Sequence, residues 1–246
     1  MAKVFEAALS ALFRTPLLAA WWTVAAQSAG AAGAASSPAV TAEVIARVNA
    51  FREQQRLVSV QPEPHLTAAA GEFAGYFAAH RVLEHEADGR DPAQRAQAHG
   101  YSYCVIAENI AYEQRPGGFA TEELASRLVT NWQNSPPHRH NMQDPRVTQT
   151  GVGIAPAPGG YWYAVQLFGL PDSARIAFRV INDGTRAAAY TVAGERFDLP
   201  PGVTRTHRLC PPAQLQVTGT TAPVQVSGGA LYHVRNDGSG WHLDTH

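Results

Sequence analysis

"NWQNSPPHRHNMQDPRVTQTGVGIA", residues 131–155, passes from a helical to a strand pattern within one short stretch. Just upstream, Leu124, Leu128, Val129 and Trp132 recur at helical spacing. Thr121 opens that run, with Glu122 and Glu123 in the first turn, where the helix dipole favours acid. Asn134 and Ser135 stop the helix, and Pro136 and Pro137 forbid its continuation, since proline lacks an amide donor and crowds the preceding turn. Downstream, "QTGVGIA" (149–155) and "YWYAVQLFG" (161–169) read as strands joined by the turn residues "PAPGG". A helix feeding a hairpin, without regular β-α-β alternation, indicates an α+β fold. The break between the two patterns carries His138, Arg139 and His140 together, so it is either a solvated loop or one wall of a site.

The rest of the chain extends this pattern in both directions. Val44, Ile45, Val48, Phe51 and Leu57 mark one face of a helix over 41–57, with Thr41 as its N-cap. Pro62 and Pro64 interrupt it before an Ala-rich helix over 66–83 that carries Leu66, Phe73, Phe77 and Val82. "EHEADGRDP" (84–92) is a loop, and Pro92 starts a short helix that ends at Gly100. "YCVIAENIAY" (103–112) is an apolar strand broken only by Glu108 and Asn109; a buried Glu108 needs a hydrogen-bonding partner. Together these elements predict a layered α-β-α sandwich over 36–172. From Ser173 the pattern changes to short alternating segments about ten residues apart, which predicts a small all-β sandwich or barrel over 173–246, with "LPDSA" (170–174) as the boundary.

Composition narrows the function classes. The formal net charge is −1 and Lys3 is the only lysine, so no basic run exists to track a phosphate backbone, and nucleic acid is excluded as a partner. Residues 1–35 read as an export signal: Lys3 and Arg14, then the apolar run "PLLAAWWTVAA" (16–26), then small residues around Ala29–Ala34. The run is shorter than the roughly 20 apolar residues a membrane span needs, so no transmembrane segment is expected in the mature protein. A secreted or periplasmic location follows. No cysteine follows the run, so lipid anchoring there has no acceptor. Cys104 and Cys210, the only cysteines, either pair as one disulfide or stay as separate thiols.

The ordered set "LEHEADGRDPAQRAQAHGY", "VIAENIAYE", "NWQNSPPHRHN", "GVG" and the closing aromatic strand resembles the bacterial branch of the CAP superfamily. That superfamily groups the cysteine-rich secretory, antigen 5 and pathogenesis-related 1 proteins, also called SCP domains. The resemblance covers residues 42–169 and implies an α-β-α sandwich with a cleft lined by two histidines and one or two acids. Carried over by position, these are His85, His138 and Glu108. A second acid three residues after the helix tryptophan is typical of eukaryotic members; here that position is Ser135. In this reading the prolines direct His138 into the cleft, while Arg139 and Asn141 are structural. His140, two residues on, chelates beside His138 only if the segment is extended.

Three functions follow from these residues. The first is a secreted binding module whose His85, His138 and Glu108 hold zinc or another divalent cation, or whose cleft takes a small molecule, a lipid or a cell-envelope component. The second is an adhesive or structural exoprotein. The third is a hydrolase, with Glu108 as general base on a metal-bound water or Ser135 as nucleophile beside His138. The binding module is the leading expectation, and catalysis is not required by any of these residues.

Overall fold

The computed structural model describes residues 34–237 and 239–245. The export signal expected at 1–35 falls almost wholly outside the described residues. In chain order the elements are α1 (Ser37–Gln54), β1 (Gln61–Pro62), α2 (Pro64–His80), α3 (Pro92–Ala98), β2 (Tyr103–Gln114), α4 (Thr121–Asn134), α5 (Pro136–Gln143), β3 (Gln149–Ala157) and β4 (Tyr161–Pro171). They continue as β5 (Ile176–Asn182), β6 (Ala188–Val192), β7 (Glu195–Leu199), β8 (Thr204–Leu209), β9 (Gln214–Val217), β10 (Val224–Gln225), β11 (Leu231–Asp237) and β12 (Gly240–Thr245). Among the described residues no helix is long and apolar enough to cross a membrane.

The first four strands form one sheet in the order β1-β3-β4-β2, with β2 at a free edge. α1 and α4 bury Val44, Val48, Leu128 and Trp132 against one face. α2 buries Leu66, Phe73 and Phe77 against the other, so the expected α-β-α layering is present. The "GVG" motif explains how closely α2 approaches. A Cβ on Gly151 would lie 2.1 Å from the Leu66 carbonyl carbon, and one on Gly153 would lie 2.1 Å from the Ala70 carbonyl oxygen. Only glycine lets helix backbone rest on strand backbone at these two points.

Two helix readings need correction. α1 begins at Ser37 and is flanked by Ser36, not capped by Thr41, because Pro38 fits the first turn, where an amide donor is not needed. For the same reason Pro136 and Pro137 do more than end α4: they open α5, a short helix of eight residues. His138 and His140 therefore do not face one side together. At 3.6 residues per turn they point roughly oppositely, and the joint chelation expected for an extended segment is lost. Arg139 spans the break, its Nη1 donating to Gln133 O at 2.9 Å.

A buried arginine invisible to the helical pattern steadies this region. Arg52 of α1 donates from Nη1 to Met142 O (2.8 Å) and Asp144 O (3.0 Å), and from Nη2 to Val147 O (3.2 Å). Three carbonyls at the exit of α5 are thereby satisfied without water.

After Pro171 a single 3-10 turn (Asp172–Ala174) leads into a region whose regular elements, among the described residues, are all strands. One sheet has the order β10-β9-β6-β7 and the other β12-β11-β5-β8. Phe178, Val180, Tyr190, Leu215, Val217, Tyr232 and Val234 fill the space between them, which makes a sandwich. Cys104 at the start of β2 and Cys210 just after β8 form a disulfide with a Cα–Cα distance of 5.5 Å.

Candidate functional site

The site is built around the edge strand β2. Strand alternation sends Ile106, Ile110 and Tyr112 to the face covered by α2, and Ala107 and Ala111 to the face covered by α1 and α4. Glu108 shares the first face and Asn109 the second. The adjacent pair "EN" thus reaches to both sides of the sheet.

On the α2 side, the Glu108 side chain is 1 % exposed and both of its oxygens are engaged. Oε1 accepts from His85 Nδ1 at 2.8 Å and Oε2 accepts from Arg95 Nη2 at 2.8 Å. Because a carboxylate only accepts, the proton of this bond sits on His85 Nδ1, and in the neutral imidazole Nε2 then carries the lone pair. The His85 side chain is half exposed, so that nitrogen is open to a ligand.

Arg95 organises this corner. It is buried on α3, donating from Nη1 to Asp88 Oδ1 (2.9 Å) and from Nη2 to His85 O (2.9 Å). Its guanidinium lies 3.5 Å from the Phe73 ring centroid. Burial pushes the Asp88 carboxyl up, but the Arg90 amide and the charges of Arg95 and Arg90 hold it below the usual carboxylate range. Arg95 stood in the sequence as the first residue of "RAQAHGY", but nothing in the local pattern tied it to Glu108.

On the other side, Asn109 Nδ2 donates to His138 O (3.1 Å), and Asn141 Nδ2 donates to Asn109 Oδ1 (2.9 Å) and Glu108 O (3.1 Å). Asn109 therefore anchors α5 from within the strand. Trp132 is core, and its Nε1 donates to Ile110 O at 3.2 Å. The Glu108 and Ile110 carbonyls on the free sheet edge are capped by side chains, which closes that edge to another strand. His138 is partly buried. Burial, and then the charge of His85, hold its imidazole below the usual histidine range, which favours its neutral form.

The fold thus brings Glu108, His85 and Arg95 into contact and sets His138 within electrostatic reach of His85. Ser135 lies at the start of α5 and makes no side-chain cap bond there, nor a hydrogen bond to His138 among the described residues. A divalent cation fits this donor set only in part. The two imidazoles are suitable ligands, while each Glu108 oxygen already accepts one hydrogen bond. Among the described residues no three His, Cys, Asp or Glu side chains gather as a cage.

The comparisons with known proteins fall on this half of the chain. The CAP family model, the cysteine-rich secretory protein family, matches residues 45–168, half of the chain. "Uncharacterized protein YkwD" of Bacillus subtilis (strain 168) is 27 % identical over 121 residues, which cover 49 % of this chain and 44 % of that protein. The chain thus spans less than half the length of this curated relative. Among solved structures, an outer surface protein from Borrelia burgdorferi has a TM-score of 0.49 and 19 % identity, covering 57 % of this chain and 99 % of that one. An extracellular protein containing an SCP domain, from Bacillus anthracis str. Ames, has a TM-score of 0.46 and 18 % identity, covering 54 % of this chain and 41 % of that one. With the family model spanning the helices, the edge strand and the GVG hairpin that build the site, the chain belongs to the CAP family, in its bacterial branch.

Proposed function

We propose that the chain is an exported binding module whose cleft holds a divalent cation, zinc or a similar ion, between the imidazoles of His85 and His138. The observation that carries this reading is the Glu108–His85 bond. A carboxylate on one imidazole nitrogen, leaving the other free, is the arrangement that prepares histidine as a metal ligand. In this role Glu108 orients His85 and is not itself a ligand, and Arg95 holds Glu108. Two protein donors leave the remaining positions to water, so the affinity is modest.

Zinc titration of the mature protein by calorimetry at pH 7.5 tests this reading. Binding is expected in the wild type and lost in the His85→Ala, His138→Ala double variant. Undiminished binding in that variant overturns it. Export supports the same reading, because residues 1–35 carry the charge, apolar run and small residues of a signal peptide. N-terminal sequencing of secreted material is expected to start between Ala31 and Ser37. Hydrolysis is a weaker reading, since Ser135 lacks a base partner and each Glu108 oxygen already accepts one hydrogen bond.

A further inference from the structure

α2 ends at His80, before it has covered the whole of its sheet face, and the uncovered end of the sheet carries three tyrosines. Tyr112 of β2 pairs across the ladder with Tyr163 of β4, and Tyr161 lies next along the same face. The rings form a triangle: Tyr112 lies 5.9 Å from both Tyr161 and Tyr163, and Tyr161 lies 6.2 Å from Tyr163. With Arg81, Val82 and Leu83 they line a cavity of about 210 Å³. Tyr112 is 49 % exposed while Tyr163 is 4 % exposed, so the cavity has an open side and a closed floor. Among the described residues none of the three phenol groups hydrogen-bonds to protein.

Arg81 stands at the rim in an unusual backbone state. It occupies the left-handed position after α2, at φ 56° and ψ 39°, where glycine is the usual residue. Its guanidinium lies 5.3 Å from the Tyr161 ring centroid and donates from Nη2 to Pro158 O at 3.0 Å. The remaining N–H groups are left to face a ligand.

We propose that this cavity is a saccharide subsite that takes one pyranose ring bearing a carboxylate. Sugar C–H faces pack on tyrosine rings, ring hydroxyls find the free phenol groups, and a carboxylate pairs with Arg81. The cavity is smaller than the roughly 300–1,000 Å³ of drug-sized sites, which suits one ring. An organic cation, the other common guest of aromatic clusters, is disfavoured by Arg81 at the rim. The subsite is distinct from the histidine cleft, because Tyr112 lies four strand residues from Glu108, about 13 Å away.

Saturation-transfer NMR on the purified protein, with glucuronic acid, glucose and choline as separate probes, tests the proposal. Glucuronic acid is expected to show transfer to its ring protons and to bind about tenfold tighter than glucose. Arg81→Gly places glycine where the backbone favours it, so the fold is kept, and the preference for glucuronic acid over glucose is expected to vanish. Tyr112→Ala removes a half-exposed ring and is expected to abolish transfer from both sugars. The His85→Ala, His138→Ala variant is expected to bind sugar normally, which separates this site from the cleft. No transfer from either sugar, transfer unchanged in Arg81→Gly and Tyr112→Ala, or transfer from choline alone overturns the proposal.

Discussion

Arg95 Nη2 and Glu108 Oε2 form an ion pair 2.8 Å apart in which each side chain is 1 % exposed. A pair so fully removed from water is stable only because further partners hold both groups: His85 on the carboxylate, and Asp88 with two backbone carbonyls on the guanidinium's Nη atoms, while Arg95 Nε is buried without a partner. The pair also joins α3 to β2 and fixes the loop that presents His85.

Removing the guanidinium leaves buried Glu108 with His85 as its side-chain partner and Asp88 with Arg90. Arg95→Met is expected to lower stability by about 3–5 kcal/mol in urea unfolding. Glu108→Gln keeps an acceptor for Arg95 and is expected to cost less. It should also free the His85 tautomer, seen as a change in the imidazole nitrogen shifts. An Arg95→Met protein as stable as wild type would show that the pair is unimportant.

Glycine at 151 and 153 is demanded by backbone contact. Gly153→Ala must push α2 off β3 and is expected to destabilise by about 1–3 kcal/mol or more. Gly71→Ala, where an added Cβ meets nothing within 4 Å, is the control and should be neutral or slightly stabilising. Thermal melts of the two variants compare them directly.

The Cys104–Cys210 bridge closes a loop of 106 residues. Its removal in a Cys104→Ser, Cys210→Ser variant is expected to cost about 2–5 kcal/mol, chiefly by freeing the unfolded chain. The same loss should appear when the wild type is unfolded in reductant. An equal urea midpoint with and without reductant would contradict this.

Acid should weaken the fold through two histidines. Burial, then the charge of His85, lowers the pKa of His138; burial, then Arg205, lowers that of His207. The unfolded chain therefore takes up protons first. Stability is constant well above the unfolded histidine value of about 6.5 and falls as pH drops from there toward the lowered folded values. His138→Gln is expected to flatten the slope of melting temperature between pH 7 and 5. His207→Gln should flatten it too, but from a lower starting stability, because Tyr190 OH loses its 2.7 Å partner. Zinc binding is expected to weaken over the same range, since protonated imidazole cannot ligate.

Much of the fold was legible from local rules. Helical spacing in 121–132 and the strand–turn–strand pattern of 149–169 are set by neighbours a few residues apart, so they marked the elements of the α-β-α layers and the change to strands after Ser173. The ordered motifs also singled out His85, Glu108 and His138. Local rules misread Pro136 and Pro137, because a proline that ends one helix is equally suited to begin the next, and only the packing of α5 on β2 and α4 decides between them. The partners of Glu108 were not legible either. Its bonds run 13 residues to Arg95 and 23 to His85, across a strand, a helix and a loop whose meeting depends on sheet register and on how deeply α3 packs. The same holds for the disulfide and for the tyrosine cavity, which the residues just after α2 line together with three tyrosines of the sheet. Chain-local energetics determined which elements form; long-range packing, where buried charges must find partners, decided which side chains meet.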